Sequence, residues 1–222
     1  MKTKMTREEL CEYLASSRIE HTDIMFENII FECQDLHDIA FMDCSFVKCE
    51  FNLCNLAGSN FSYSTFNDVS FQFCNMTDTN LANCHFAHPL FFYCRLVGVP
   101  MCYSVLKHGG FIDCAVSGDM TQSYQNDISY TRGILCGVLT YSTLIDVSYH
   151  STTLDHVDFT DVDACHMTMD EVTLFQTDVT PIIEDVTVYE GSTKSSDTPK
   201  EFCVHLSVNT KGEASVTLCE EV

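Results

Sequence analysis

The chain has 222 residues, with 32 acidic side chains against 11 basic ones and a formal net charge of -21. Hydrophobic residues make up 45% of it, enough to bury a core, so it is not a disordered acidic tail. Charge of this sign excludes direct binding to DNA, RNA or an anionic membrane and suits a basic protein partner, including one whose own ligand is nucleic acid. No run approaches the ~18 apolar residues of a membrane span.

At the N-terminus, Met1 to Met5 leads into polar residues rather than an apolar stretch, so no export signal is read. The chain has 14 cysteines and no CxxC spacing. Both points favour reduced thiols in a bacterial cytoplasm and disfavour structural zinc. Thr6-Arg7-Glu8-Glu9 is a capping box, and Leu10 and Leu14 share a face, so residues 1–20 are expected to form a short helical cap.

From Phe26 the sequence repeats every five residues. Phe26, Phe31, Leu36, Phe41, Phe46 and their successors as far as Val116 give nineteen large apolar residues in a row. Neither a helix nor a flat strand makes this pattern. The position two before each apolar residue is mostly small and holds seven cysteines, among them Cys44, Cys49, Cys54, Cys74, Cys94 and Cys114. The remaining positions are largely polar. The pattern then falters, with Thr121, Asn126 and Thr131 in the apolar slot, and resumes at Ile134, Leu139, Leu144 and onward to Val179. Residues 117–133 therefore read as a loop or a distorted coil.

Cys44-Ser45-Phe46-Val47-Lys48, Cys54-Asn55-Leu56-Ala57-Gly58 and Cys84-His85-Phe86-Ala87-His88 resemble the motif of the pentapeptide-repeat family. The resemblance implies an all-β fold, a right-handed quadrilateral β-helix with four pentapeptides per coil, spanning 21–180. Each unit would form one side of a square coil with two inward side chains, one large and one small. Coils stacked at about 4.8 Å would make a rod of about 38 Å. Cys54, Cys74, Cys94 and Cys114 would then share one column, and Cys44, Cys49 and Cys54 would lie on three different sides.

Pro181 ends the repeat, and Ile183 to Tyr189 alternates as a strand. A polar linker runs from Gly191 to Pro199. Phe202 to Val208 and Val216 to Leu218 alternate around the turn Asn209-Thr210-Lys211-Gly212, which is a hairpin pattern. Residues 181–222 read as a small C-terminal β cap or a homodimerisation element.

Catalytic signals are missing: the chain has neither a phosphate-binding GKS/T loop nor a GxGxxG fingerprint. In Cys84-His85 the cysteine occupies the inward slot and the histidine faces out, so the two cannot act as a pair. No enzyme activity, cofactor or metal site is expected. The informative feature is the acids. Between Arg132 and Lys194 there are 61 residues without Lys or Arg. The second repeat block, 134–179, holds Asp146, Asp155, Asp158, Asp161, Asp163, Asp170, Glu171 and Asp178. Over roughly 11 Å of axis these eight acids match the ~6 to 7 charges of duplex DNA.

Pentapeptide-repeat members include duplex-DNA mimics, so the resemblance implies that these acids are phosphate surrogates aimed at a basic DNA-binding protein. Two partner classes follow. One is a CRISPR effector subunit, with the chain resembling acidic phage-borne anti-CRISPR mimics that block duplex or PAM recognition by a Cascade-type complex. The other is DNA gyrase, bound by quinolone-resistance members. Those end in a short helical dimerisation segment, whereas this C-terminus reads as a hairpin. A passive interaction rod is the reading from another class.

Overall fold

The computed structural model describes residues 22–177 in full and, outside them, the backbone of Thr3–Met5, Val186–Val188, Thr193–Ser195, Phe202–Val208 and Ala214–Glu220. The expected helix at Thr6 to Leu14 lies outside the described residues. Thr3–Met5 is a strand, paired in parallel with Ile24–Glu27.

The described chain is a parallel solenoid of about eight turns, a quadrilateral β-helix. Its register follows from the repeat. Phe26, Phe46, Phe66, Phe86 and Leu106 are successive partners on the first side. Phe31, Phe51, Phe71, Phe91 and Phe111 are partners on the second. Each step is twenty residues, four units of five.

The first and second sides are strand ladders. The fourth is a stack of tight turns in which the N–H of Ser64, Ser104, Ser123 and Ser142 donates to the carbonyl of Phe61, Met101, Met120 and Leu139. Within each, the third residue is left-handed, as at Tyr63, Tyr103, Gln122 and Tyr141, the geometry of a type II turn. The third side begins as turns joined by single bridges at Asp35, Asn55 and Asn75 and becomes strand from Arg95–Leu96 onward. A left-handed residue recurs two after nearly every apolar one and makes the corner. Asp and Asn tolerate that conformation best after Gly, which accounts for many of them at the corners.

Residues 117–133 are not a loop. Ala115–Asp119 and Tyr124–Thr131 are strands, and the inward residues are Met120, Gln125 and Tyr130 rather than Thr121, Asn126 and Thr131. Leu135 is fully buried in the slot expected for Ile134, which is half exposed. The steps from Val116 to Met120 and from Leu135 to Leu139 are four residues, so coils there are one residue short: Phe111 pairs with Tyr130 and Tyr130 with Tyr149, each nineteen apart. The twenty-residue register returns at Tyr149 with Met169.

Glycine permits the short units. Gly118 and Gly137 are register partners with φ of 150° and 129°, a region other residues avoid. A Cβ on Gly118 would overlap the Val99 backbone, and one on Gly137 would overlap Gly118.

The core is a set of columns along the axis. On the second side, Phe31, Phe51, Phe71, Phe91, Phe111, Tyr130 and Tyr149 stack continuously, with centroid spacings of 4.3 to 5.1 Å. Beyond the repeat, Thr193–Ser195, within the expected linker, pairs with Thr173–Phe175 and with Phe202–Val208. Phe202–Val208 pairs antiparallel with Ala214–Glu220.

Candidate functional site

Asp158 lies on the fourth side, one residue before buried Phe159. Its Oδ1 accepts the N–H of Thr160 at 2.9 Å. Earlier coils make the same contact from the same position with neutral residues: Asn60 accepts from Ser62 N–H and Asn80 from Ala82 N–H, both at 3.0 Å. Asp119 does so with Thr121 N–H at 2.9 Å. The turn accepts a side-chain oxygen there without charge, and at Pro100 and Val138 it forms with no side-chain oxygen at all. The Thr160 hydroxyl, and then its N–H, hold the Asp158 carboxyl below its ordinary pKa.

Asp161 is the left-handed corner residue after Asp158, with φ of 54°, and Asp163 begins the next side, paired with Thr143. Both are exposed, and neither carboxylate has a hydrogen-bond or ion-pair partner among the described residues. Asp178 lies outside the described residues.

The other candidates have partners. Asp146 faces His166 Nδ1 at 3.3 Å, and Asp170 faces His150 Nδ1 at 2.8 Å. Asp155 pairs with neighbouring His156. Ser151 Oγ donates to Glu171 Oε2 at 2.7 Å. The structure therefore spreads the acids over all four sides of the rod. It brings Asp158, Asp161 and Asp163 together around one corner, and it sets Asp146, Asp155, Asp170 and Glu171 elsewhere, each beside a polar partner. These partners escaped the sequence reading, although their signal was there: Asp146 and His166, His150 and Asp170, and Ser151 and Glu171 are each twenty residues apart, one coil.

Two further features lie outside the acidic block. Leu53, Phe73 and Tyr93 occupy one corner column, are more than half exposed, and Phe73 stacks on Tyr93 at 5.4 Å. In the next coils the column becomes Asp113 and Arg132, joined by two hydrogen bonds of 2.8 and 3.1 Å. Among the described residues no group of three or more His, Cys, Asp or Glu could hold a metal ion, and no helix is long and apolar enough to cross a membrane.

The fold and its inward columns define a class, the parallel β-solenoid built from five-residue units. Residues 44–119 match the family model described as a pentapeptide repeat region. The chain thus contains a pentapeptide repeat region. Among solved structures it is similar to HetL, a pentapeptide repeat protein involved in heterocyst differentiation regulation from the cyanobacterium Nostoc sp. strain PCC 7120. That match has 11% identity, a TM-score of 0.39, and covers 77% of this chain and 84% of the other. It is also similar to a trypsin-treated form of QnrB1, a plasmid-mediated fluoroquinolone resistance protein, with 12% identity, a TM-score of 0.47, and coverage of 77% and 92%. For full-length QnrB1 the values are 14%, 0.34, 85% and 90%. No curated protein matches the sequence.

Proposed function

We propose that the protein is a non-catalytic DNA mimic that fills the basic groove of a DNA-binding protein and excludes duplex from it. The observation that carries this reading is the exchange of Asn for Asp along one column. Asn60 and Asn80 satisfy the fourth-side turn without charge, whereas Asp119 and Asp158 make the same hydrogen bond and add one. Asn serves the same turn without charge, so the turn by itself does not call for the carboxylate at Asp119 or Asp158. A rigid rod that carries Asp158, Asp161 and Asp163 around one corner, in a stretch without Lys or Arg, offers fixed anionic points to a basic groove.

The partner of first choice is a CRISPR surveillance complex of the Cascade type, met in a bacterial cytoplasm, with duplex or PAM recognition as the blocked step. DNA gyrase is the second. The C-terminal hairpin, Phe202–Val208 with Ala214–Glu220, departs from the helical dimerisation end of gyrase-protecting members and favours the first. The test is competition. Added protein should lower duplex binding by the purified surveillance complex while guide RNA stays bound, and inhibition should weaken as salt rises. Gyrase supercoiling run in parallel separates the two partners. Inhibition of neither overturns the mimic reading and leaves an interaction rod.

A further inference from the structure

Residues 44–136, the middle of the rod, hold six acids and four bases, a net charge of -2 in a chain of -21. Its second and third sides are balanced. Over five successive coils, from Glu50 to Cys136, the outward positions of these two sides carry two acids and two bases: Glu50 and Arg95, and the paired Asp113 and Arg132. Polar groups between them are bonded to one another. Asn75 Nδ2 donates to Asn55 Oδ1 at 3.2 Å, Arg95 Nε to Thr77 Oγ1 at 3.3 Å and Gln72 Nε2 to Ser70 Oγ at 3.4 Å.

Leu53, Phe73 and Tyr93 run along the corner between these two sides. Phe92 meets Phe73 and Tyr93 edge-on, at 5.7 and 4.6 Å, and makes the Phe73–Tyr93 stack a three-ring cluster. Leu90 and Ile134 are exposed on the flanking sides. The fold itself does not call for these corner residues. Leu53, Phe73 and Tyr93 have φ of 55°, 54° and 50°, a conformation that bulky side chains resist. The next corner fills the same position with Gly58, Asp78 and Gly98, which tolerate it better. On the corner between the fourth and first sides Tyr63, Tyr103 and Tyr141 are exposed too, but Asn83 and Gln122 separate them and no continuous apolar surface forms.

We infer that the Leu53–Phe73–Tyr93 corner is an isologous interface that pairs two copies of this chain. A self-paired surface meets its own image, so any net charge on it is repelled; here the charges cancel. A basic partner finds only Glu50 and the already paired Asp113 to bind on this face. Five coils at ~4.8 Å give about 24 Å of contact, and each half-exposed ring offers on the order of 100 Å². A contact of that size belongs with the smaller interfaces, so dimerisation in the micromolar range is expected. The corner of Asp161 is diagonally opposite. The dimer therefore leaves Asp158, Asp161 and Asp163 of both copies on its two outer faces, and the inference does not rest on what those acids bind.

Sedimentation equilibrium of the full-length chain across the micromolar range is the test. The parent is expected at twice the chain mass of 25.1 kDa. Phe73→Ser combined with Tyr93→Ser should raise the dissociation constant about tenfold or more. Serine stands at the same corner at Ser151, so this variant should fold, with an unchanged β spectrum. Gln72→Glu keeps the shape of the side chain, adds a like charge to each copy's face, and should also weaken the dimer. Tyr63→Ser combined with Tyr103→Ser, on the opposite corner, should leave it intact. Added sodium chloride should strengthen the parent dimer, because it screens repulsion between the two acidic chains and spares the apolar contact. A parent that stays monomeric at the highest concentration, a dimer that survives either face variant, one lost equally in the Tyr63 variant, or one that salt dissociates overturns the inference.

Discussion

Cysteine, serine and threonine share the inward small position because each carries one donor on a short side chain. Ser59, Ser64, Thr79 and Ser104 donate to the carbonyl twenty-three residues earlier at 2.6 to 2.7 Å. Cys84 makes the same bond to Phe61 O at 3.0 Å. The preference for small residues was legible in the sequence, but the carbonyl it serves was not, because that partner exists only once coils stack. The tyrosines test this accounting of polar groups. Tyr130 and Tyr149 are both buried, yet only Tyr130 donates, to Gln125 Oε1 at 3.0 Å, while the Tyr149 hydroxyl is unpaired. Tyr149→Phe should therefore raise stability by about 1 kcal/mol, and Tyr130→Phe, which strands the Gln125 oxygen, should lower it by about 1 kcal/mol in urea unfolding. Asp158 offers a pH test. Its folded pKa lies below the unfolded value, so its contribution is complete above the unfolded pKa and is lost as pH falls through the folded one. Asp158→Asn should remove that acid-side dependence and leave neutral-pH stability within about 0.5 kcal/mol, since the amide keeps the Thr160 bond.

At the scale of the side and the coil, the aromatic column is the main source of cohesion. Phe91 stacks between Phe71 and Phe111 at 4.9 and 4.6 Å. Stacked pairs add about 0.5–1.5 kcal/mol beyond burial. Phe91→Ala should cost about 3–5 kcal/mol through lost contacts and a cavity, read as a lower unfolding midpoint. The square coil and its ladders were legible because nineteen apolar residues kept one period. The short units were not. A fixed step of five carries the reading from Val116 to Thr121 and from there to Asn126, whereas the chain saves one residue at Gly118 and a second at Gly137. The burial of Met120, Gln125 and Tyr130 is what locates the deletions. A polar Gln125 in a large inward slot hid them further, since its amide pairs with Tyr130, Ser123 and the Met120 sulfur inside the fold. Gly118→Ala should destabilise by at least about 2 kcal/mol in the same assay, because the added methyl meets Val99 backbone rather than a movable side chain.

At the scale of the rod, the candidate acids differ in how freely they can meet a partner. Asp146, Asp155 and Asp170 face histidines, and Glu171 accepts from Ser151. Asp161 and Asp163 stand clear of such contacts, and Asp158 keeps a second carboxylate oxygen beyond its turn bond. A lysine or arginine from a groove replaces nothing at Asp161 and Asp163, whereas at Asp170 it must displace His150. Charge was legible in the sequence as a count, but the availability of each charge depends on its neighbour one coil away. Three sets of Asn or Gln variants compared in the duplex-competition assay separate these effects. Asp158, Asp161 and Asp163 neutralised together, with Asp178 as a fourth, should abolish inhibition while keeping the β spectrum of the rod. Salt dependence should become shallower by up to ~0.9 per acid removed, the limit set by duplex phosphates. Neutralising Asp146, Asp155 and Asp170 should weaken inhibition less. Asp35, Asp38, Asp43 and Glu50 should matter least, because Asp35 is held by His37 and Asn55 and Lys48 lies among them. Equal losses from all three sets would mean that net charge alone attracts the partner, and no loss from the first would remove the corner at Asp161 from the interface.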